Sequence, residues 1–479
     1  MDVGGNFDLI IIGGGSAAFA GAIKAAELGA KAAIVEQGVI GGTCLNRGCI
    51  PTKNLLRAGE IYYYPKRNPF DGVSVRQGAL NFAKVIGQKD RLVKELRKSK
   101  YLDILKANPN IKLIKGKGEF LSDKEIKHVP AGSKRGVGND ILKADKFIIA
   151  TGASPSILPV EGLDRVEYLT STEALDLKKL PKSMIILGGR FVALEFAQMY
   201  NHFGTKVIVL QRSNRIIPEE EDEISLALQK FLEEEGIKII TGVKLLSVKE
   251  TKKIKVVTCE IEDKKRDFKA ESLLVATGRR PNTSGLGLEK LGVKLNDKGA
   301  VIVDDEMRTS VPNIFAAGDV TGEPMLVTAA AHQGAVAAQN AIDDCCHRKA
   351  DLSIVPHAIF THPQVAGVGL KEKEAIEKGY KVKVRTLDFH LVPKAAAIRD
   401  TRGLIKMVVE DGTDIILGVH ILSPEAGDII HEATLAVQKR MTIHEIIDTI
   451  HVYPTLSEAI KIAAQSFLKD VSKLSCCAE

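Results

Sequence analysis

The feature that most limits the fold is a short apolar run broken by glycines and followed at once by an alanine-rich segment, and it occurs twice. Phe7 to Ile12 stop at Gly13, Gly14 and Gly15, after which SAAFAGAIKAAELGA predicts a helix opening at Ser16 and Ala17. Strand, glycine turn and helix in that order aim the unpaired N–H groups of the helix start at the turn, where a pyrophosphate can sit. Gly13 permits the tight turn, Gly15 lets backbone come close to phosphates, and Ala18 keeps the helix near the sheet. The next apolar run, Ala32 to Val35, ends in Glu36, about twenty residues past the glycines, where a carboxylate accepts hydrogen bonds from a ribose.

The pattern returns at Ser183 to Leu187, followed by Gly188, Gly189 and a second strand, Lys206 to Leu210. Here Arg190 replaces the third small residue, ahead of Phe191 and Val192, and Gln211 with Arg212 and Arg215 replaces the acid. An acid repels a 2′-phosphate and arginines pair with it, so NADPH is expected rather than NADH, unless these arginines only solvate a loop. FIIATGASP (Phe147 to Pro155, with Thr151 and Gly152), LLVATGRRPN (Leu273 to Asn282, with Gly278) and NIFAAGDV (Asn313 to Val320, with Asp319) each predict a buried strand ending in a small-residue turn. Two nucleotide sites imply two cofactors between which electrons pass; NADPH gives hydride, and a flavin can split the electron pair.

Composition bounds the class. At 479 residues the chain exceeds one hydrophobic core, and 45% hydrophobic with 27% charged residues is globular usage. A net charge of +7, with Lys and Arg scattered among acids, gives no reason to expect nucleic acid as partner. No apolar run is long enough to span a bilayer, and the N-terminus lacks the charged region of a signal peptide, so no stable membrane association is expected. Seven cysteines, odd in number, do not form a secreted disulfide framework and point to a cytoplasmic location.

The stretch GGTCLNRGCIPTK, Gly41 to Lys53, holds Gly42, Thr43, Cys44 and Cys49. Five helical steps would separate the two thiols by about 7.5 Å along an axis, beyond disulfide reach. Gly48 and Pro51 supply an irregular turn that could close the gap, and a helix starting nearby would stabilise a thiolate. The alternative is two unrelated buried thiols.

With these motifs in place the chain resembles the flavin-dependent pyridine nucleotide disulfide oxidoreductases along essentially its whole length. The resemblance implies an α/β fold of two Rossmann-like dinucleotide-binding domains, for FAD and NADPH, plus a C-terminal α+β dimerisation domain. The FAD domain is expected over residues 1–152 and 281–350, the NADPH domain over 153–280 and the dimerisation domain over 351–479. It also implies that the first glycine motif (Gly13, Gly15, Ser16, Ala17), Glu36, Gly42, Thr43, Lys53, Thr151, Gly152 and Asp319 bind FAD, with a Gly116 and Gly118 loop at the adenine. Gly188, Gly189, Arg190, Phe191, Val192, Gln211, Arg212, Arg215 and Gly278 are implied for NADPH, with the Phe191 ring gating the pocket. Lys53 and Glu195 match an ion pair beside the flavin N5; Cys49 matches the thiol against the flavin and Cys44 the one facing substrate.

One departure narrows the reading. Disulfide reductases of this family carry His-x-His-Pro near the end, the second His acting as acid and base held by a downstream Glu. Here the segment is HVYPTLSE, with His451 retained and Tyr453 in the catalytic place. A phenol of pKa about 10 is a poor proton shuttle near neutrality. Glu458 then fits a capping box with Thr455 as N-cap. Tyrosine there, with the adjacent thiols Cys476 and Cys477 in KDVSKLSCCAE, is similar to the mercuric ion reductases.

That resemblance implies Hg(II) as substrate, a homodimer with active sites at the subunit interface, and a tail that delivers metal to the other subunit's site. Cys44, Cys49, Cys476 and Cys477 are then the metal ligands, with Tyr101 and Tyr453 beside them; an ordinary half-buried aromatic is the alternative for Tyr101. Many mercuric ion reductases have an additional N-terminal metal-binding domain; a core form without it is expected here. The alternatives are a disulfide oxidoreductase of the dihydrolipoamide dehydrogenase or glutathione reductase type, and a non-catalytic soft-metal binder. Cys345 and Cys346 read as a solvated or half-buried helix end rather than a metal site, and Cys259 as structural.

Overall fold

The computed structural model describes residues 6–132 and 140–473. The chain forms two compact units. One gathers the residues up to Thr52, Ile86–Ser156 and Gly278–Leu352; the other gathers Lys53–Val85, Ile157–Thr277 and the chain from Ser353 onward.

In the first unit, strand Asn6–Ile12 lies between Ala32–Glu36 and Asp140–Ile149, all parallel, with Ile111–Phe120 and Ile314–Ala316 further out. Leu9 to Ile12 are all buried, as a strand covered on both faces requires. The register pairs Ile12 with Val35 and with Ile149, and Ile149 with Ala316. Four strands therefore end at one edge, where a ligand of an open parallel sheet binds. Helix Ser16–Glu27 covers one face and packs on Val327–Ile342. A Cβ on Gly334 would stand 2.1 Å from the Ala17 carbonyl oxygen, so only glycine allows that approach. The Gly116 to Gly118 stretch, expected as a loop, lies inside strand Ile111–Phe120, whose antiparallel pairing to Glu125–Pro130 supplies its backbone hydrogen bonds.

The second unit contains a parallel sheet in the order Ser272–Val275, Ser183–Leu187, Lys206–Leu210, Lys238–Ile240. It also contains a five-stranded antiparallel sheet whose central strand, Ile416–Ser423, is buried throughout under helices Ala426–Gln438 and Glu458–Gln465. No helix among the described residues is long and apolar enough to cross a membrane.

Candidate active site

Cys44 sits on the short helix Gly42–Arg47, and Cys49 opens the 15-residue helix Cys49–Tyr63. Gly48 separates them with φ −140° and ψ −115°, and a Cβ there would come within 3.0 Å of the Thr43 carbonyl oxygen. Both thiols are half-buried, and Cys49 lies in the positive first turn, where a thiolate is favoured. Pro51 does not belong to the irregular turn. It occupies the first turn of the second helix, where its missing N–H leaves nothing unpaired.

Tyr101, in the turn Lys98–Leu102, belongs to the same group in the first unit. Its ring packs on Phe19 at 4.7 Å. Burial raises its pKa, the charges of Cys44 and Cys49 add to the rise, and a hydrogen bond with Ser16 opposes it. Ser16 thus touches Tyr101 at the helix start, whereas the Ala17 methyl faces Gly318 and the Ala17 backbone faces Gly334.

The shared strand edge holds the expected FAD residues of this unit. Gly13 has φ +122°, and a Cβ there would stand 2.2 Å from the Ala150 carbonyl oxygen. Gly42, at φ +60°, approaches Gly15 so closely that its Cβ would lie 2.5 Å from the Gly15 Cα. Glu36 lines a cavity with Gly13, Gly118, Thr151 and Asn282. Burial raises the pKa of Glu36, against the amides of Gly38 and Gly14; Gly38 N–H donates to its Oε1 at 2.5 Å. A glycine-lined cradle with an acid at its far end matches the phosphates and ribose of a dinucleotide.

Two side chains at this edge escaped the sequence reading. Asn282 donates from Nδ2 to the Thr151 carbonyl (2.9 Å) and accepts from Ser154 Oγ (2.8 Å), so it stitches the Thr151 and Gly152 turn in place. Arg279 lies 3.9 Å from Asp319 and donates to Thr43 Oγ1 (3.5 Å) and to the Ala153 carbonyl. Burial lowers its pKa, while Asp319 and then Cys49 counter that; burial raises the pKa of Asp319 against the arginine. The GRRPN sequence after Ala276 and Thr277 was the available signal.

In the second unit, Lys53 Nζ donates to both oxygens of the buried Glu195, at 2.9 and 2.8 Å, as the sequence resemblance predicts. Gly188 repeats Gly13, with φ +111° and a would-be Cβ 2.3 Å from the Ala276 carbonyl oxygen. Arg190 caps helix Phe191–Phe203 with extended backbone and reaches Glu219 at 3.5 Å; Val192 lies in its first turn and the Phe191 ring is exposed. Gln211 is buried against Gly189, Arg212 is exposed, and Arg215 departs from expectation. Arg215 pairs with Asp222 and donates to the carbonyls of Pro218 (2.7 Å) and Glu220 (3.2 Å), so it braces the loop rather than facing a phosphate.

Tyr453 is exposed. His451 is committed elsewhere, Nε2 to Glu432 at 2.7 Å and Nδ1 to the Thr449 carbonyl at 2.9 Å. Only half of the expected capping box forms. Thr455 N–H donates to Glu458 at 3.0 Å, but its hydroxyl donates to the Val452 carbonyl, and the helix starts at Glu458 with Ser457 as N-cap. Cys345 and Cys346 are exposed just past helix Val327–Ile342, and burial pushes the Cys259 thiol up to about 11. Cys476 and Cys477 lie outside the described residues. Among the described residues, no three His, Cys, Asp or Glu side chains are grouped to hold a metal ion.

Residues 7–334 match the pyridine nucleotide-disulphide oxidoreductase family and residues 355–464 its dimerisation domain. The chain is 44% identical to a mercuric reductase of Staphylococcus aureus, across 99% of this chain and 85% of that one. It is 42% identical to a mercuric reductase of Streptomyces lividans, across 98% of each. Among solved structures it is similar to the Cu(II) complex of the HOCl-induced flavoprotein disulfide reductase RclA from Escherichia coli. That match has a TM-score of 0.86 at 29% identity and covers 97% of this chain and 100% of that one. The glycine cradles, the helix-start thiol and these full-length similarities lead to one conclusion: the chain belongs to the pyridine nucleotide-disulphide oxidoreductase family.

Proposed function

We propose that the chain reduces Hg(II) to elemental mercury at the expense of NADPH, with FAD as its bound cofactor, as a cytoplasmic homodimer. The observation that carries the reading is a dithiol at a helix start next to a tyrosine, in a chain whose customary base is replaced by Tyr453 and whose neighbouring His451 is held by Glu432. Hydride donation by NADPH supplies two electrons, so NADPH and Hg(II) give NADP⁺, a proton and Hg(0). That balance asks no proton of Tyr453, whereas disulfide reduction needs two protons delivered to sulfur.

FAD, when bound, accepts the hydride of NADPH and makes two electrons available to the metal. Gly13, Gly15 and Gly42 would admit its phosphates, Glu36 its ribose, and Asp319 and Arg279 the polar chain between. Arg212, exposed beside the buried Gln211, would meet the 2′-phosphate of NADPH. Mercury(II) is soft and prefers thiolate to imidazole or carboxylate. Cys476 and Cys477 of one subunit would capture the ion and pass it by thiol exchange to Cys44 and Cys49 of the other, each new S–Hg bond replacing an S–H or an older S–Hg bond. Tyr101, its pKa raised, stays a neutral phenol and offers a polar contact to the exchanging metal.

The test is NADPH oxidation with Hg(II) in excess thiol, run beside dihydrolipoamide, NAD⁺ and glutathione disulfide assays. Mercury-dependent oxidation with little disulfide activity is expected; the reverse pattern overturns the reading. Cys476→Ala with Cys477→Ala should slow turnover of thiol-bound Hg(II), and unchanged turnover removes the tail from the mechanism.

A further inference from the structure

We infer that Phe360 is a positioning residue that fixes the Lys53–Glu195 pair from both sides. The inference rests on the proposed flavin reduction for its consequence, but not for its geometry. Phe360 follows strand His357–Ile359 in the second unit. Its backbone N–H donates to Glu195 Oε1 at 3.0 Å, and its ring lies beneath Lys53 Nζ at 4.4 Å from the centroid. One residue therefore binds the acid through its peptide and the base through its π face, closing a three-cornered contact with the 2.8 Å ion pair.

The anchoring segment is itself held. Gln198, one turn beyond Glu195 on helix Phe191–Phe203, accepts from His362 N–H at 2.7 Å and donates to the His362 carbonyl at 2.7 Å. Its amide also donates to Glu235, a carboxylate that binds His202 at 2.9 Å. Glu195 and Gln198 thus grip Phe360 and His362 from one helix face, as the i,i+3 spacing allows.

A lysine ammonium has rotatable stem bonds and a large conformational freedom. Pairing to Glu195 alone leaves it free to swing about the carboxylate; the ring removes that freedom and keeps the charge at one place. Because the Phe360 N–H belongs to the backbone, side-chain replacement removes only the ring contact. Its loss should therefore weaken the electrostatic support given to a neighbouring electron acceptor without changing nucleotide affinity.

The experiment compares Phe360→Leu and Phe360→Tyr holoenzymes in single-turnover reduction by NADPH and in equilibrium titration of the flavin. Phe360→Leu should slow flavin reduction about tenfold at unchanged KM for NADPH and lower the two-electron potential by about 30 mV, a tenfold change in equilibrium constant. Phe360→Tyr, which keeps the ring, should restore both. Wild-type rate and potential in Phe360→Leu, or no rescue by Phe360→Tyr, overturns the inference. A flavin-independent arm uses apoprotein: Phe360→Leu should lower the unfolding midpoint in the native background and not in a Lys53→Met background. Equal lowering in both overturns the contact itself, whereas failure of the native holoenzyme to be reduced by NADPH overturns the functional proposal and leaves this arm to decide.

Discussion

The two strand–glycine–helix units share a backbone and differ in what their side chains can hold. Gly13 and Gly188 have φ +122° and +111°, and each would drive a Cβ into a carbonyl oxygen of a neighbouring strand end, Ala150 at 2.2 Å and Ala276 at 2.3 Å. Gly14 and Gly189 are next in line. A Cβ on the first would meet Glu36 Oε2 at 2.7 Å, and on the second Gln211 Cβ at 2.9 Å. The middle glycine thus makes room for the residue at the end of the second strand, acid in one unit and amide in the other. At the third place Gly15 and Arg190 have nearly the same extended backbone, φ −88° and −98°. The backbone tolerates arginine there, and a Cβ on Gly15 would meet only the Gly42 Cα at an ordinary 3.7 Å; the tight position is Gly42, whose own Cβ would lie 2.5 Å from the Gly15 Cα.

Substituting the first glycines should give the largest separation. Gly13→Ala should yield protein without flavin, whereas Gly188→Ala should keep flavin and raise the KM for NADPH about 100-fold, equivalent to about 3 kcal/mol of strain and clash. Flavin content and steady-state kinetics on the purified variants check this, and loss of flavin from both would break the comparison.

Exchanging the chemistry at the second strand end is a milder intervention. Arg212→Glu makes the second glycine unit resemble the first at Glu36, and on the proposed placement of the nucleotides should raise the KM for NADPH about 10- to 100-fold, the worth of a charged hydrogen bond, with little change for NADH. An unchanged NADPH to NADH ratio of kcat/KM would contradict the assignment of Arg212.

The units should also respond oppositely to acid. In the second, burial pushes Glu235 up, but His202, Gln198 and Arg402 hold its pKa below the ordinary value, and His362 and Arg402 do the same for half-buried Asp400. Such groups stabilise the fold above the carboxylate range, and that stability is lost as pH falls through their folded pKa values. In the first, burial raises Glu36 and Asp319, so between their unfolded and folded values the native state binds more protons and gains stability as pH falls. Hydrogen exchange below about pH 4 should show strand Ser183–Leu187 losing protection before Asn6–Ile12. Simultaneous loss would mean other groups dominate.

The smallest effect is expected at the exposed pair past helix Val327–Ile342. Cys345→Ser with Cys346→Ser should leave mercury turnover within about twofold, as surface substitutions away from a site usually do.

Most of the site is legible where chemistry follows local order. Strands Ser183–Leu187 and Lys206–Leu210 have the bounds read from the sequence, and Glu36 ends its strand as its apolar run implied. What escaped acts through approach across the chain. Arg279 reaches Thr43 from 236 positions away, and Phe360 reaches Glu195 through a peptide N–H that no side-chain pattern encodes. Arg215 follows the alternative kept for these arginines, service to their own loop: Pro218 and Glu220 in that loop and Asp222 at the start of the next helix claim its guanidinium. Pro51 was legible as a helix breaker, yet at the third position of a helix it breaks nothing.

In the proposed reaction two electrons pass from NADPH to a thiol-held metal. Its most direct test is to measure, in one sealed reaction with excess thiol, NADPH consumed and mercury vapour released. Equimolar amounts are predicted; NADPH consumption with no volatile mercury would mean that the electrons do not reach the metal.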